Sequence, residues 1–548
     1  MTFPSTIFIM KLLLIQPPIQ DFYETKIRLQ PIGLCYLKSS VKKYLPEIEV
    51  KIIDFHSDWG KRTIQWPSEL NYLKEYHIQD ESPFCGFSNY FHFGADWNEI
   101  ENIIKQEKAD IAGISSLFSP YYREALQTAG IAKKLGLITI LGGSHVSAMP
   151  LFTLNKPEVD FIIQKEGEKP LVELLKEILS SKNFENVPNL GYKKNSKPYL
   201  TKIEENYSIN ELPVPDLTDF ELRKYKLEKQ PMTFIITSRG CPYSCSFCSV
   251  RTTFGRLYRK RNNSLILKEI EKRYDDGYRV FDFEDDNLTF HKGEMSILFD
   301  SIKKQFTDNN KPIKLTAMNG LSYLSLDEDI LLKMKEAGFS ELNLALVSSD
   351  KNLHETTKRP HKIEKYLNVI ETAYKLKFNI VSYQILGFPE ESLDSQMQTL
   401  AFNANLPVLL GASPFYLTPY SPIALKMNRN FSEDDIFLSR LTSFAAQSKS
   451  FTQKDIYTLF ICTRIFNFIK SFSLSKDIDI KTLIQKTKAE GRIKLGLHLL
   501  EKIFDTHKLF CYSQKKIIEH PNFNSEIFKE IINKTKFIKT LSGRNIIF

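Results

Sequence analysis

Short apolar runs alternating with helical stretches dominate the chain, and they come in two separate series. In the first, KLLLIQ (11–16) leads into a helical pattern from about Gly33 to Tyr44 and then into EVKIID (49–54). The series continues with ADIAGISS (109–116), a helix over 119–134, LITILGGSH (137–145), VDFIIQ (159–164) and a helix from Pro170. Continuous Val/Ile/Leu runs belong to strands covered on both faces, and strands joined through helices lie parallel. The first series therefore predicts a doubly wound parallel sheet with a ligand beyond the carboxyl ends of its strands. The second places strands at 233–237, 279–284, 312–318, 341–347, 379–386 and 413–418, with helical patterns such as SLILKEIEKRYDDG and DEDILLKMKEAG between them. Six βα units in a row predict a barrel or part-barrel, with its chemistry in the loops that follow the strands.

Three stretches break the rhythm. Residues 55–100 form an aromatic-rich insertion that holds all three tryptophans, Trp59, Trp66 and Trp97. A segment this long inside a domain is either a small packed cap or a lid facing a ligand. Residues 181–231 read as a linker, with a polar hairpin in NVPNLGYKKNSKPYL and a proline-punctuated link in ELPVPDL. From about Asn430 the pattern is helical with lysine-rich faces and no strand signal. The expected units are 1–180, with the insertion at 55–100, the linker 181–231, the barrel 232–429 and a helical region 430–548.

Charge narrows the partners. The formal charge is +9 over 548 residues, but Lys is interleaved with Asp and Glu and no basic tract occurs. That describes a solvated surface, and no nucleic-acid partner is expected. The start, MTFPSTIFIMKLLLIQPP, is broken by Lys11 and ends in Gln-Pro-Pro without a small-residue cleavage site, so it reads as a buried strand. No run approaches the length of a membrane span. Seven cysteines, three of them clustered, suit a reducing compartment, and the cytoplasm is expected.

The cluster is RGCPYSCSFCSV (239–250), where Cys241, Cys245 and Cys248 follow the first strand of the second series with spacing C-x3-C-x2-C. Three thiolates on one short loop can each bind one iron of a cubane cluster. A closed cluster or a structural zinc site would need a fourth ligand, and no fourth Cys lies nearby. One iron is thereby left open to bind something else.

The stretch CPYSCSFC resembles the cluster-binding loop of radical S-adenosylmethionine (radical SAM) enzymes, with the aromatic Phe247 before the last Cys. The resemblance implies a 4Fe-4S cluster on the three cysteines, with the open iron chelating the amino and carboxylate groups of S-adenosylmethionine. It also implies reductive cleavage of that molecule to a 5′-deoxyadenosyl radical, with Phe247 near the adenine. Similarity runs over about 232–420. In FDFEDDNLTF, the acids Glu284, Asp285 and Asp286 are candidates for the methionine ammonium, which a carboxylate suits. QILGFPEE is similar to the family's GxIxGxxE pattern at Ile385, Gly387 and Glu390, with Tyr383 where the first Gly would be. Gly387 would let backbone approach the adenine closely. Where many relatives carry a GIES-like segment this chain has ALVSS (345–349), so Val347 replaces the carboxylate and Ser348 is the polar group that remains.

The first series resembles the cobalamin-binding domain that precedes the barrel in one class of these enzymes. The residues that carry this are LLLIQPP, PIGLCYLKSSV, IAGISS, LGGSHVS and VDFIIQKEGEKPLVELL. A flavodoxin-like (Rossmann-type) sheet is implied, with Ser115, Ser116, Gly142 and Gly143 at strand ends where a bulky ligand must lie close to backbone. His145 and the acidic turn Glu166-Gly167-Glu168 match further family features. DFHSDWG resembles a cobalt-ligating D-x-H-x-x-G motif, but Gly60 lies one residue too far from His56 and the motif follows the second strand. The first-strand loop, QPPIQDFYETK, has no His, so cobalt is expected to lack a His ligand from this domain.

Together these readings imply an α/β protein: a cobalamin-binding domain, a radical SAM partial (β/α)6 TIM barrel and a mostly α-helical C-terminal extension. The implied activity is reductive cleavage of S-adenosylmethionine with cobalamin-assisted methylation of an unactivated carbon. One alternative keeps the radical chemistry for cyclisation or rearrangement and gives the first domain to substrate or partner. Another is a non-catalytic iron–sulfur or zinc protein with four protein ligands. A methylthiotransferase would need a further trio of cysteines in the first domain. The expected partners are a small-molecule substrate, apolar if the aromatic insertion and helical tail shape its site, and a reducing donor such as flavodoxin or ferredoxin.

Overall fold

A computed structural model describes residues 9–25, 30–205, 207–472, 482, 484, 487 and 489–537. The first eight residues of the leading apolar segment, Lys26 of the first-strand loop and parts of the helical tail lie outside the described residues.

Seven strands form the first sheet, in the order Lys197–Leu200, Leu190–Lys194, Phe161–Ile163, Ile138–Gly142, Ile111–Ser115, Met10–Gln16, Ile48–Asp54. The last five of these pair in parallel, and the first two add an antiparallel hairpin. The hairpin was expected as part of a linker; it instead extends the sheet, and Gly191 lets it close in. A Cβ there would lie 2.5 Å from Ile162. The unbroken apolar run of the first strand follows from burial on both faces. Leu12 and Leu14 join a core with Leu34, Val41, Leu171 and Leu175 from helices Ile32–Tyr44 and Glu168–Leu179. Leu13 and Ile15 face Ile100, Ala125 and Ala129 from helices Trp97–Glu107 and Tyr122–Lys134.

The barrel strands are Gln230–Ile235, Val280–Phe283, Lys314–Thr316, Glu341–Val347, Asn379–Leu386 and Leu409–Pro414. They form two parallel three-stranded ladders, joined by single bridges at Leu315–Phe339 and Leu321–Leu344. The sixth strand lies at 409–414 and not at the expected 413–418. Its apolar residues Leu409, Leu410 and Ala412 are buried, and the ladder closes at Pro414, beyond which the Phe415 N–H still donates to the Leu386 carbonyl at 2.7 Å. The Asn467 side chain, on helix Gln453–Phe472, bonds both the N–H and the carbonyl of Leu410 at 2.9 and 2.8 Å, capping the open edge. Tyr383, which stands where the family has Gly, fills the barrel interior. Its hydroxyl donates to the Met318 carbonyl at 3.1 Å, and Gly411 makes room, since a Cβ there would lie 2.6 Å from the ring.

The insertion is a packed subdomain. Strands Ile19–Asp21, Lys61–Thr63 and Phe91–Phe93 form a small antiparallel sheet. Phe84, Phe87 and Tyr90 are buried in one core with Phe460, Ile461 and Leu500 of the C-terminal helices. Asp21 is fully buried at this junction. Its carboxylate accepts from the Tyr121 hydroxyl at 2.8 Å, the Thr442 hydroxyl at 2.6 Å and Arg440 at 3.2 Å. Among the described residues of the C-terminal region, helices such as Gln453–Phe472 and Gly491–Thr506 are accompanied by a hairpin, Phe510–Ser513 with Lys516–Glu519, which the sequence did not suggest. Its turn residues, Gln514 and Lys515, take positive φ of 49° and 62° without the Gly or Asn that marks such turns. Among the described residues no helix is long and apolar enough to cross a membrane.

Candidate active site

The three cysteines sit on a loop held at both ends by a short ladder between Ser238–Arg239 and Arg259–Lys260. Gly240 opens the loop at φ 83°, and a Cβ there would lie 2.4 Å from the Leu257 carbonyl, so only glycine fits. Its N–H donates to Asp286 at 2.9 Å. Farther along, the Ser246 N–H donates to the Thr357 carbonyl and the Ile423 N–H to the Ser246 carbonyl, both at 2.8 Å. The loop is thus clamped from the fourth barrel unit and from the chain after the sixth strand.

All three thiols are free; Cys245 is buried and the other two are half-buried. Burial pushes the Cys248 thiol up to about 11 and raises Cys241 in the same direction. A bound metal would reverse this by taking the thiolates. Donors already point at the sulfurs: Asn287 Nδ2 lies 3.7 Å from Cys241 Sγ, and Arg359 Nη1 lies 3.9 Å from Cys245 Sγ. Such donors stabilise thiolate and tune a cluster's potential. Among the described residues no three His, Cys, Asp or Glu side chains converge as ligands of a single ion. Thiols spread around a loop suit a cubane, in which each takes a different iron.

The other barrel residues singled out from sequence divide into two groups. Phe247 lies edge-on to Phe388 with ring centroids 5.2 Å apart, so the cysteine loop and the end of the fifth strand do meet. Ile385 and Glu284 are half-buried at their strand ends. Asp285, by contrast, turns inward. It accepts from the Thr237 hydroxyl at 2.8 Å and the Ser238 hydroxyl at 2.5 Å, tying the first strand's end to the second, and burial raises its carboxyl to about 6. The space beside Gly387 is taken by Ala446 at 3.0 Å and Ile456 at 3.3 Å, so this glycine admits the C-terminal region. Ser348 is buried and donates to Glu391 at 2.8 Å. Glu391 is the inward acid of the FPEE stretch, raised to about 7 by burial, whereas Glu390 lies at the surface near Lys426. Val347 sits at a bulge with φ 76°, a strained conformation for a buried β-branched residue.

A cavity of about 280 Å³ lies at the carboxyl ends of the first sheet's strands, under helices Ile32–Tyr44 and Glu168–Leu179. Ser115, Gly142, Gly143 and Glu166 line it, together with Gly113. Gly142 leaves room here, since a Cβ there would project with only the Ile163 carbonyl, at 3.7 Å, nearby; at Gly113 a Cβ would instead meet the packed Leu14 at 2.8 Å, so that glycine lets the strands pack closely. A bulky flat ligand such as the nucleotide tail of cobalamin fits such a cradle. Ser116 and His145 do not line it. Ser116 is buried behind it, its N–H bonded to the Gly142 carbonyl at 2.7 Å. His145 is buried against Tyr122 and Phe152, with Nδ1 3.1 Å from the Ser119 hydroxyl, so it shapes the 116–119 loop from the far side. Burial holds its imidazole down, near 3. His56 is buried elsewhere, and none of the residues lining the cavity is a histidine.

Sequence reasoning missed the residue that joins the two sites. Arg239 stands two positions before Cys241 and also lines the cavity. Its guanidinium bonds Glu166 and Glu168, both at 2.6 Å, and Arg259 bonds the other oxygen of Glu166 at 2.7 Å. Glu166, expected to touch cobalamin, is therefore engaged by two arginines. The rings of Tyr36 and Phe254 flank Arg239 at 5.2 and 5.6 Å. Two positive and two negative side chains form a neutral buried quartet between the domains. The available signal was an arginine just before Gly-Cys and an acid pair around one glycine.

Comparison with known proteins agrees with this layout. Residues 235–402 match the Radical SAM superfamily and residues 86–175 the B12 binding domain. An uncharacterized methyltransferase of Pyrococcus horikoshii is 26% identical over 410 residues, covering 73% of this chain and 79% of that protein. Cytidylyl-2-hydroxyethylphosphonate methyltransferase of Streptomyces wedmorensis is 24% identical over 425 residues, covering 70% and 74%. The fold resembles that of the radical SAM methyltransferase TsrM from Kitasatospora setae, solved with cobalamin and a [4Fe-4S] cluster (TM-score 0.59, 17% identity, 76% and 77% covered). It also resembles the cobalamin-dependent radical enzyme OxsB (TM-score 0.60, 17% identity, 91% and 71% covered). The chain thus carries a Radical SAM superfamily region at 235–402 preceded by a B12 binding domain at 86–175, and it shares the fold of the two solved neighbours along most of its length.

Proposed function

We propose that the protein cleaves S-adenosylmethionine reductively at the loop of Cys241, Cys245 and Cys248 and, with cobalamin held in the first-sheet cavity, methylates an unactivated carbon of a small molecule. The observation that carries this reading is Arg239, which belongs at once to the stem of the cysteine loop and to the wall of the cavity. When bound, the cluster supplies an electron and cobalamin carries the methyl group. The chain's own residues fix the geometry. Gly240 and the ladder at 238–239 set the loop, Asn287 and Arg359 donate toward its sulfurs, and Gly142 admits a flat ligand close to backbone. The half-buried Phe247, backed by Phe388, offers an aromatic face for an adenine. Methylation draws support from the relatives named as methyltransferases. A low-potential donor such as flavodoxin or ferredoxin would provide electrons, and the cytoplasm is the compartment that suits seven free thiols.

A second reading has one specific support. The anaerobic magnesium-protoporphyrin IX monomethyl ester cyclase of Rubrivivax gelatinosus is 27% identical over 317 residues, so the same parts could serve cyclisation. The test is metal content and product analysis of protein purified without oxygen from cells supplied with cobalamin. About four irons and one cobalt per chain, with formation of 5′-deoxyadenosine, are expected. Transfer of label from the methyl of S-adenosylmethionine into a product selects methylation over cyclisation. Iron without cobalt after reconstitution sinks the cobalamin reading.

A further inference from the structure

A second cavity, of about 540 Å³, opens beside the carboxyl ends of the fifth and sixth barrel strands. Three parts of the chain that are distant in sequence build it: Tyr72 of the insertion, Pro389 with Phe415 and Tyr416 after the strands, and Met427 through Phe444 of the C-terminal region. Its size falls within the roughly 300–1,000 Å³ of small-molecule sites. Tyr416 and Met427 are 39% and 49% exposed, while Phe415 and Phe444 behind them are 7% and 1% exposed. Large apolar side chains facing open space from a buried aromatic floor mark a binding surface.

Five polar side chains of the wall, Tyr72, Arg429, Asp435, Ser439 and Gln453, are engaged within the protein. The Tyr72 hydroxyl donates to the Ser443 carbonyl at 2.7 Å, Arg429 pairs with Asp435, and Gln453 donates to the Phe444 carbonyl at 3.1 Å. Beyond these, the wall presents the aromatic and aliphatic faces of Phe415, Tyr416, Leu417 and Met427, with the Tyr416 hydroxyl and Gln447 as polar groups among them. Phe444 is held at φ 47°, a conformation unusual for a bulky residue, with its ring fixed against Phe460 and His77. Strain of this kind gathers at ligand clamps. The cavity is one aromatic layer from the cysteine loop: Phe415 lies 5.0 Å from Phe388, which lies 5.2 Å from Phe247, the neighbour of Cys248.

We infer that this cavity receives the apolar body of the substrate, a hydrocarbon or polycyclic small molecule whose reacting carbon points past Phe388 toward the cysteine loop. The assignment rests on the proposed radical function, but its test does not. The full chain is titrated with the neutral fluorophore N-phenyl-1-naphthylamine. Saturable binding at about micromolar Kd is expected, and Met427→Glu should weaken it at least about tenfold by placing a charge in an apolar site. Tyr416→Ala should weaken it severalfold through loss of a ring face. Ile297→Glu, at a residue 56% exposed on helix Lys292–Gln305 and away from the cavity, should bind as the unaltered chain does. Non-saturable fluorescence, or equal binding by Met427→Glu, overturns the proposal. Displacement of the fluorophore by S-adenosylmethionine also overturns it, since the cavity would then belong to that molecule. Failure to form 5′-deoxyadenosine would refute the radical reading while leaving the titration as it stands.

Discussion

The first sheet and the barrel are both parallel strands followed by helices, yet they prepare for their ligands in opposite ways. The sheet does so by subtraction: Gly142 leaves open space beside backbone in a cavity that Gly113 and Gly143 also line, and the charged groups at its rim, Glu166 and Glu168, are neutralised by Arg239 and Arg259. The barrel does so by addition, setting three thiols on a clamped loop and aiming amide and guanidinium donors at them. One site selects by shape and the other by ligation, and the quartet is where the two share a wall. A shape site tolerates loss of any polar group but not of space. A ligation site is the reverse.

The largest effect expected from that contrast comes from Cys245→Ala. It should abolish the cluster, seen as loss of iron and of 5′-deoxyadenosine, while cobalamin retention persists; joint loss would mean that the sites are not separable. Next is Arg239→Met, which takes the arginine from buried Glu168 and leaves Glu166 with Arg259 alone. Breaking a buried charge group by removing one partner costs about 3–5 kcal/mol, so denaturant midpoints should fall sharply and both cofactors should bind less well. An unchanged midpoint would show that the quartet does not unite the domains. Gly142→Leu projects into open space and should leave iron content intact while lowering cobalamin retention about tenfold or more, measured by absorbance after gel filtration. The smallest effect is on pH. His145 is held near 3 against an ordinary 6.5, so the unfolded chain binds more protons between these values and stability falls as pH drops below about 6.5. His145→Asn should flatten part of that slope in urea midpoints between pH 7 and 5, and only part, because His77 is held equally low.

What could be read from sequence follows the range of each interaction. The strands of both series were legible because an apolar run and its covering helix are local, and the cysteine loop because its three cysteines lie within eight positions. Residues that act across distance were not. Asp285 and Glu166 read as acids for ligands, but their partners, Ser238 and Arg239, come from another strand or another domain. Gly387 read as room for adenine, although Ala446 and Ile456 occupy that side. The sixth strand was misplaced by four residues because Phe415–Tyr416 continue the apolar run after the ladder has closed at Pro414. The hairpin at 510–519 lacked a turn signal altogether.

The carboxylate of Asp21 and the guanidinium of Arg440 are 419 positions apart. At about 5–20 residues per second of synthesis, the acid leaves the ribosome roughly 20–80 s before its partner. For that interval the first domain carries a carboxylate that its finished form leaves dry, together with the apolar faces of Phe84, Phe87 and Tyr90 that the C-terminal helices will cover. The amino-terminal domain is thus made first and completed last. A chain interrupted between the sixth barrel strand, which ends at Pro414, and residue 440 would hold all three cysteines of the loop and every barrel strand, yet it would still present an unfinished, adhesive surface to whatever chaperone or protease met it.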